Sequence, residues 1–203
     1  MKTESIVFAL GGLVVGLLVG WIVGDQQARN SGPVVTTAAA PAQAGSDTRQ
    51  PPPLDQEKVK ALTTVAQNDP KNSTPRVQLG NLYFDAEQFP EAIKWYEEAY
   101  ALDAKDANVS TDLGVAYYYS NQPDKALTQF GKSLAIDPKH VKTLLNQGVV
   151  LAFAKRDLEG AAKAWQKVVE FATPGSQEAV AAQRGLDSLK SIHPDGGAAP
   201  AAN

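Results

Sequence analysis

The side chains best suited to acid–base or metal chemistry are few and far apart. The two histidines, His140 and His193, stand at no useful spacing from a nucleophile or from other metal ligands. The sequence has no cysteine, which excludes disulfides, thiolate metal sites and covalently attached haem. The paired acids Glu97 and Glu98 lie among charges spaced for one solvated helix face. The sequence therefore predicts no enzyme, no metal site and no cofactor.

The charged side chains are unevenly divided along the chain. Residues 54–124 carry twelve acids and six bases, a net charge of −6, whereas residues 125–192 carry six acids and ten bases, a net charge of +4. Such a division can orient a charged partner or favour head-to-tail contacts between copies. The whole chain has a net charge of −3, with no basic excess to neutralise phosphates, so nucleic acid is not an expected partner.

The N-terminal region has the pattern of a membrane anchor. Residues 5–24 contain no charged side chain, and a helix of this length spans about 30 Å, the thickness of a bilayer core. A cleaved signal peptide is the alternative, but no small-x-small cleavage site follows closely. We expect a transmembrane helix after a short stub, residues 1–4. With so short a stub, we expect the N-terminus in the cytoplasm and the rest outside, which in a bacterial inner (plasma) membrane is the periplasm.

Glycines recur every four residues along the predicted transmembrane helix. On a helix, this spacing forms one smooth stripe against which a second backbone can pack closely. The stripe predicts self-association, or pairing with another membrane helix. It consists of Gly12, Gly16, Gly20 and Gly24.

Two segments lack the apolar residues that a core requires. Residues 25–53 are rich in Pro and Ala and cannot offset the entropy cost of ordering, so we expect a disordered tether. Residues 193–203 are predicted to form a disordered tail for the same reason. The remaining residues, 54–192, have the usual size of one domain with its own core.

Residues 54–192 contain copies of one pattern with a period of 34 residues. The pattern fits a helix–turn–helix unit, in which small residues lie where paired helices come closest and large ones fill the gaps. In the third copy the second half is displaced by one residue, which predicts a longer turn around Lys155–Asp157. The small positions are Gly80, Gly114 and Gly148, then Ala92, Ala126 and Ala161. The large positions are Tyr83 and Tyr117, then Tyr96, Phe130 and Trp165.

This pattern resembles the tetratricopeptide repeat (TPR) family over about Ser73 to Pro174. The resemblance rests on Leu-Gly-x-x-Tyr, on Ala-x-x-x-aromatic and on the pair Asp137-Pro138. It implies an all-α, TPR-type helix-turn-helix solenoid. The three repeats are expected at 73–106, 107–140 and 141–174. The bulky aromatic usually found near the start of each repeat is replaced by Arg76, Ser110 and Leu144.

One further helix is expected at each end of the repeats. Residues 54–69 resemble the second helix of a half-repeat, which would cap the N-terminal end of the stack. Residues 176–192 have the pattern of a C-terminal capping helix with a polar outer face. Its apolar face is expected to contain Val180, Leu186, Leu189 and Ile192. The domain would then hold eight helices, and no strand pattern competes.

In this family the first helix of each repeat lines a concave groove that receives peptides or partner helices. The positions carried over by the resemblance are mostly apolar or aromatic, so an amphipathic helix or an extended apolar peptide is the expected ligand. The first repeat contributes Val77, Asn81, Phe84 and Asp85. The second contributes Thr111, Val115, Tyr118 and Tyr119, and the third contributes Leu145, Val149 and Phe153.

The resemblance also tests one well-defined type of groove. Chaperone-binding relatives hold a C-terminal carboxylate with Lys, Asn and Arg side chains spread over three repeats. Here Asn81 and Lys142 occupy two such positions, whereas Val77, Asp112 and Asn146 occupy the others. Binding of a C-terminal carboxylate is therefore not predicted.

Two classes of function remain open, and neither is catalytic. The first is a scaffold or assembly factor that binds another protein at a bacterial inner membrane. One version of it resembles the periplasmic repeat proteins of cytochrome c maturation, which bind the C-terminal helix of an apocytochrome. The second class is a structural homo-oligomer, built through the glycine stripe and the divided charge.

Overall fold

Eight α-helices follow one another along the residues that the computed structural model describes, 51–192, and no strand is among them. All eight belong to one compact unit that begins at Leu54. The predicted all-α solenoid is therefore confirmed. The helices are α1 (Gln56–Asn68), α2 (Thr74–Asp85), α3 (Phe89–Leu102), α4 (Ala107–Tyr119), α5 (Pro123–Ile136), α6 (Val141–Val150), α7 (Leu158–Phe171) and α8 (Gln177–Ile192).

Several predictions concern residues outside this described range. They are the transmembrane helix at 5–24, the tether up to residue 50, the tail at 193–203 and the glycine stripe of Gly12, Gly16, Gly20 and Gly24. Between residues 51 and 192, no helix combines the length and the apolarity that crossing a bilayer requires.

Glycines facing aromatic rings hold together the three helix pairs, α2–α3, α4–α5 and α6–α7. A Cβ atom at any of these glycines would lie 2.5 Å or less from a ring atom, so only glycine allows the two helices to approach this closely. The facing residues are Gly80 with Tyr96, Gly114 with Phe130 and Gly148 with Trp165. The three glycines therefore lie where the paired helices come closest, as predicted, and a ring of the second helix packs on each of them.

The position near the start of each repeat is filled in three different ways. In the first repeat, the Arg76 guanidinium donates to a carbonyl at the end of α1 at 3.2 Å and pairs with Glu98 at 3.5 Å, which ties α1 and α3 to α2. In the second, Ser110 Oγ donates to the Gln129 carbonyl at 3.2 Å and accepts from its side-chain amide at 3.0 Å. In the third, Leu144 is buried. Two polar side chains and one leucine therefore take the place of the usual aromatic.

Each repeat turns between its two helices through one residue in the left-handed conformation. Glu87 and Asn121 have φ values of 56° and 59°, and the amide after each donates to a carbonyl five residues back. Arg156 has a φ of 56°, but the amide after it donates to a carbonyl six residues back. The extra residue is accommodated by a π-helical turn, Leu151–Lys155, at the end of α6. The prediction of a longer turn is wrong in this respect, because the helix takes up the insertion.

Helix α8 closes the C-terminal end of the stack against α6 and α7. A Cβ at Gly185 would lie 2.7 Å from the Trp165 ring, so this ring is held between glycines of α6 and α8. The buried face of α8 contains Ala182 and Gly185, and Leu189 is half-buried. Val180 was expected on this face but is 39% exposed. The prediction fails there because close contact with a large ring requires small residues.

Candidate functional site

The first helices of the repeats form one continuous wall of the stack. Helix α4 touches α6, and α6 touches α8. Helix α2 reaches α4 through the rings of Phe84 and Tyr119, whose centroids lie 5.4 Å apart. This is the wall on which the groove was predicted. Its α2 part is accessible, since each of its predicted groove residues is half-buried: Val77, Asn81, Phe84 and Asp85.

A buried tyrosine supports the polar end of this groove. Tyr96 comes from α3, passes over Gly80 and donates its hydroxyl to Asn81 Oδ1 at 2.6 Å. Burial, and then the charges of Asp112 and Asp85, raise the pKa of Tyr96, so the hydroxyl stays a donor. Because its oxygen accepts from Tyr96, Asn81 can offer a partner mainly its amide N–H groups.

Four aromatic rings form a cluster where α2 and α4 end, which we call the aromatic cluster: Phe84, Phe89, Tyr118 and Tyr119. The Tyr119 ring lies 5.4 Å from Phe84, edge to face, and is stacked on Phe89 at 5.3 Å. Tyr118 adjoins Tyr119 at 5.5 Å. All four side chains are half-buried, so each keeps some accessible surface. The sequence analysis did not indicate Phe89, because this residue begins the second helix of the repeat. Its aromatic side chain, five residues after Phe84, was the only signal that could have suggested it.

The three consecutive tyrosines at the end of α4 make contacts on two different faces of the helix. Tyr118 and Tyr119 belong to the aromatic cluster, and burial raises the pKa of both phenols, so they remain protonated donors at neutral pH. Tyr117 instead donates to Glu97 on α3, while Lys125 lies over its ring at 5.3 Å. Burial and then this hydrogen bond raise the pKa of Tyr117 to about 12. Tyr117 therefore joins two helices away from the groove.

Phe153 is the most exposed aromatic residue among the predicted groove positions. Its side chain is 37% exposed, and it belongs to the π-helical turn that ends α6. By the repeat period it corresponds to Tyr119, which is covered by Phe84 and Phe89. A π-helical turn displaces the side chains that follow it, and such turns are frequent at functional sites. Phe153 thus offers an accessible ring in the third repeat.

Thr111 does not line the groove. It is 2% exposed, and its hydroxyl lies 2.6 Å from Thr143 Oγ1 and 3.0 Å from Ser133 Oγ. His140 extends the network, with Nδ1 2.6 Å from Thr143 Oγ1 and Nε2 3.2 Å from Asn108 Oδ1. Hydroxyls on three helices thus satisfy one another inside the stack, as buried polar groups require. The prediction of Thr111 as a partner-binding residue is therefore wrong.

Three apolar residues predicted to line the groove are also buried: Val115, Leu145 and Val149. The Trp165 indole donates to the Leu145 carbonyl at 3.2 Å, which fixes this part of α6 against α7. These side chains pack along the wall and offer a partner little surface, so their role as direct partner contacts stays a prediction. An apolar residue suits a groove and a core equally well.

Two carboxylates on the wall are partly withdrawn from water. Burial raises the pKa of Asp85 on α2, against the lowering effect of Lys58. Burial raises the pKa of Asp112 on α4 to about 7, although the charge of Lys142 opposes it. Near neutral pH, Asp112 is therefore close to the midpoint of its titration. In residues 51–192, no group of His, Asp and Glu side chains is arranged to hold a metal ion.

Paired helices stacked in one direction, with an aromatic wall formed by the first helix of each pair, define a helical-repeat solenoid. Models of the tetratricopeptide repeat match residues 72–139 and 111–177, which together are more than half of the chain. The chain belongs to the tetratricopeptide repeat family, whose domains mediate protein–protein interactions. No curated protein matches the sequence.

Solved structures of other repeat proteins share this fold. The crystal structure of MamA is similar with a TM-score of 0.59 and 20% identity, over 66% of this chain and 75% of that one. The first TPR domain of Spaghetti (RPAP3), bound to the HSP90 peptide SRMEEVD, gives 0.52 and 22%, over 68% and 95%. The second TPR domain of human RPAP3, in complex with the HSP70 peptide SGPTIEEVD, gives 0.50 and 20%, over 59% and 98%. Identities this low establish the fold alone.

Proposed function

We propose that this protein is a membrane-anchored scaffold or assembly factor whose groove holds a peptide or an amphipathic helix of a partner protein. The observation that supports it is the aromatic cluster, which keeps accessible surface on α2 and α4. Aromatic side chains lose little entropy on binding and dominate the energetics of many interfaces. Phe153 extends the apolar surface to the third repeat.

The peptides in the two RPAP3 structures both end in Glu-Glu-Val-Asp, a strongly acidic sequence. The groove described above is poorly suited to such an end. Chaperone-binding relatives hold a C-terminal carboxylate with Lys, Asn and Arg side chains. In this chain only Asn81 and Lys142 match that set, and another of its positions is taken by Asp112, which is acidic. The partner segment we propose is therefore held mainly through apolar and aromatic contacts.

The proposed membrane anchor is inferred from the sequence of the N-terminal region. The uncharged segment 5–24 would hold the domain at a bacterial inner membrane, and the glycine stripe would allow pairing with a second membrane helix. The tether would let the domain, on the periplasmic side, reach partners several tens of Å away.

Photocrosslinking in intact membranes tests the proposed groove. A photoreactive amino acid in place of Phe84 or Tyr118 is expected to capture the same partner protein from both positions, because both rings belong to the aromatic cluster. Trp95 on α3 is the matched control: it is also a half-buried aromatic residue, but its ring lies beneath Lys94, away from the cluster. Equal capture from Trp95, or no capture from either groove position, contradicts the proposal.

A further inference from the structure

Acidic side chains adjoin the aromatic part of the groove. On α4, Asp112 lies about two helical turns before Tyr119 of the aromatic cluster, and on α2, Asp85 directly follows Phe84. The charges of both carboxylates also raise the pKa of Tyr96, whose hydroxyl donates to Asn81. Glu87 lies two residues after the end of α2, and its charge contributes to the raised pKa of the Tyr119 phenol. The aromatic cluster and these acids therefore share one surface, formed by α2, α4 and the turn between α2 and α3.

Burial outweighs the cations that face these carboxylates. Lys58 on α1 acts on Asp85, and Lys142 on α6 acts on Asp112, while Asp106 adds a second negative charge near Asp112. In spite of the lysines, the pKa of each carboxyl is raised, which means that its charged form has lost hydration that its neighbours do not replace. A further cation placed next to either carboxylate would favour its charged form.

We propose that the groove selects a partner segment in which a lysine or arginine stands between apolar or aromatic residues. The cation would dock at Asp112 and Asp85, and the flanking apolar side chains would pack on the aromatic cluster. This inference rests on the proposed function, since it names the chemistry of the segment that the groove would hold. Complementary charge is the argument for this occupant.

The charge of the surrounding domain points to the same partner. Residues 54–124, which include the aromatic cluster and both carboxylates, carry a net charge of −6. A basic segment is attracted to such a surface during approach, and an acidic one is repelled. The aromatic faces add to this preference, because the electron-rich ring faces of Phe and Tyr attract lysine and arginine side chains.

Three matched peptides separate charge recognition from apolar docking. The probes are blocked nine-residue peptides with a Leu-Phe-X-Phe-Leu centre, in which X is Lys, Gln or Glu, each carrying the same uncharged fluorophore. Binding to the full-length chain in an uncharged detergent is measured by fluorescence anisotropy. We expect the Lys peptide to bind about fivefold more tightly than the Gln peptide, and the Glu peptide to bind more weakly than either.

Two variants assign the preference to these carboxylates. Asp112→Asn has the same shape and is expected to bring the ratio of Lys-peptide to Gln-peptide affinity close to one, and Asp85→Asn is expected to reduce it. Asp187→Asn on the exposed face of α8 is the control, and it should leave the ratio unchanged. Circular dichroism of each variant verifies that the helices are intact.

The pH dependence provides an independent readout. Because the pKa of Asp112 is about 7, its carboxyl must lose a proton to hold a cation. The affinity of the Lys peptide is therefore expected to rise severalfold from pH 6 to pH 8 in the wild-type chain and to stay flat in Asp112→Asn. Equal affinity for the Lys and Gln peptides, or an unchanged Lys preference in Asp112→Asn, would overturn this inference. Either result leaves the proposed function standing if crosslinking at Phe84 still captures a partner.

Discussion

His140 joins two repeats, and its two hydrogen bonds fit a neutral imidazole. Its Nε2 lies 3.2 Å from Asn108 Oδ1, which can only accept, so Nε2 carries the proton, and Nδ1 can accept from the Thr143 hydroxyl at 2.6 Å. Burial lowers the pKa of His140, against the raising effect of Asp137; Lys142 lowers it further. Protonation of His140 at Nδ1 would therefore force the buried hydroxyls of Thr143 and Thr111 to reorient.

The stability of the chain should therefore depend on pH through His140. Its pKa is lower in the folded than in the unfolded chain, so the folded state binds fewer protons, and stability falls as the pH drops from about 6.5 through the folded pKa. His140→Gln keeps a polar side chain but does not titrate. Between pH 7.5 and 5, the wild-type chain is expected to lose more unfolding free energy than the variant, measured by urea denaturation.

The second histidine supplies the control for that experiment. His193→Gln lies in the predicted tail and should keep the pH dependence of the wild-type chain. Carboxyl groups such as Asp112 titrate equally in all three chains, so they cancel in the comparison. If His140→Gln and the wild-type chain lose equal stability on acidification, the imidazole does not have the role described.

At the scale of helices, the period of the sequence predicted which positions hold small residues at the closest approach and which hold large ones. It did not predict which ring faces each glycine, because that depends on how the two helices cross. The period could not place the extra residue of the third repeat, since an insertion fits a turn or a helix equally well, and the helix took it up as the π-helical turn Leu151–Lys155. Nor could it separate groove from core at Leu145, where an apolar side chain suits both. The burial of Thr111 could not be predicted either, because it depends on hydrogen bonds to hydroxyls on two other helices.

Two glycine substitutions on neighbouring helices test the packing within a repeat. Gly114→Ala places a Cβ 2.5 Å from the Phe130 ring and is expected to cost about 1–3 kcal/mol of unfolding free energy. Gly131→Ala on α5 meets nothing within 4 Å and should stabilise the chain by about 0.5–1 kcal/mol, as alanine favours helix. Thermal unfolding followed by circular dichroism compares them. A Gly114→Ala chain as stable as the wild type would show that α4 and α5 do not depend on this contact.

For the whole molecule, the ends of the stack limit stability, because each repeat contacts only its neighbours. At the N-terminal end, α1 packs on α2, and Val65 remains 48% exposed. At the C-terminal end, α8 packs on Trp165 through Gly185, while Gly148 of α6 lies against another part of the same ring system. Both ends leave a valine exposed, Val65 on α1 and Val180 on α8, but α8 also closes over the ring of Trp165.

A chain that stops after Gly175 should show what this closure contributes. Without α8, Trp165 and the apolar surface around it meet water, and the expected loss is at least about 3 kcal/mol of unfolding free energy, judged from the cost of exposing a large apolar side chain. Its urea midpoint should be compared with that of a chain that stops after Ile192, which retains α8 and lacks only the predicted tail. Equal midpoints would mean that α7 needs no cover, and that the solenoid ends at its third repeat. A lower midpoint for the shorter chain alone would make α8 part of the folding unit, because the ring of Trp165 requires a glycine on both sides.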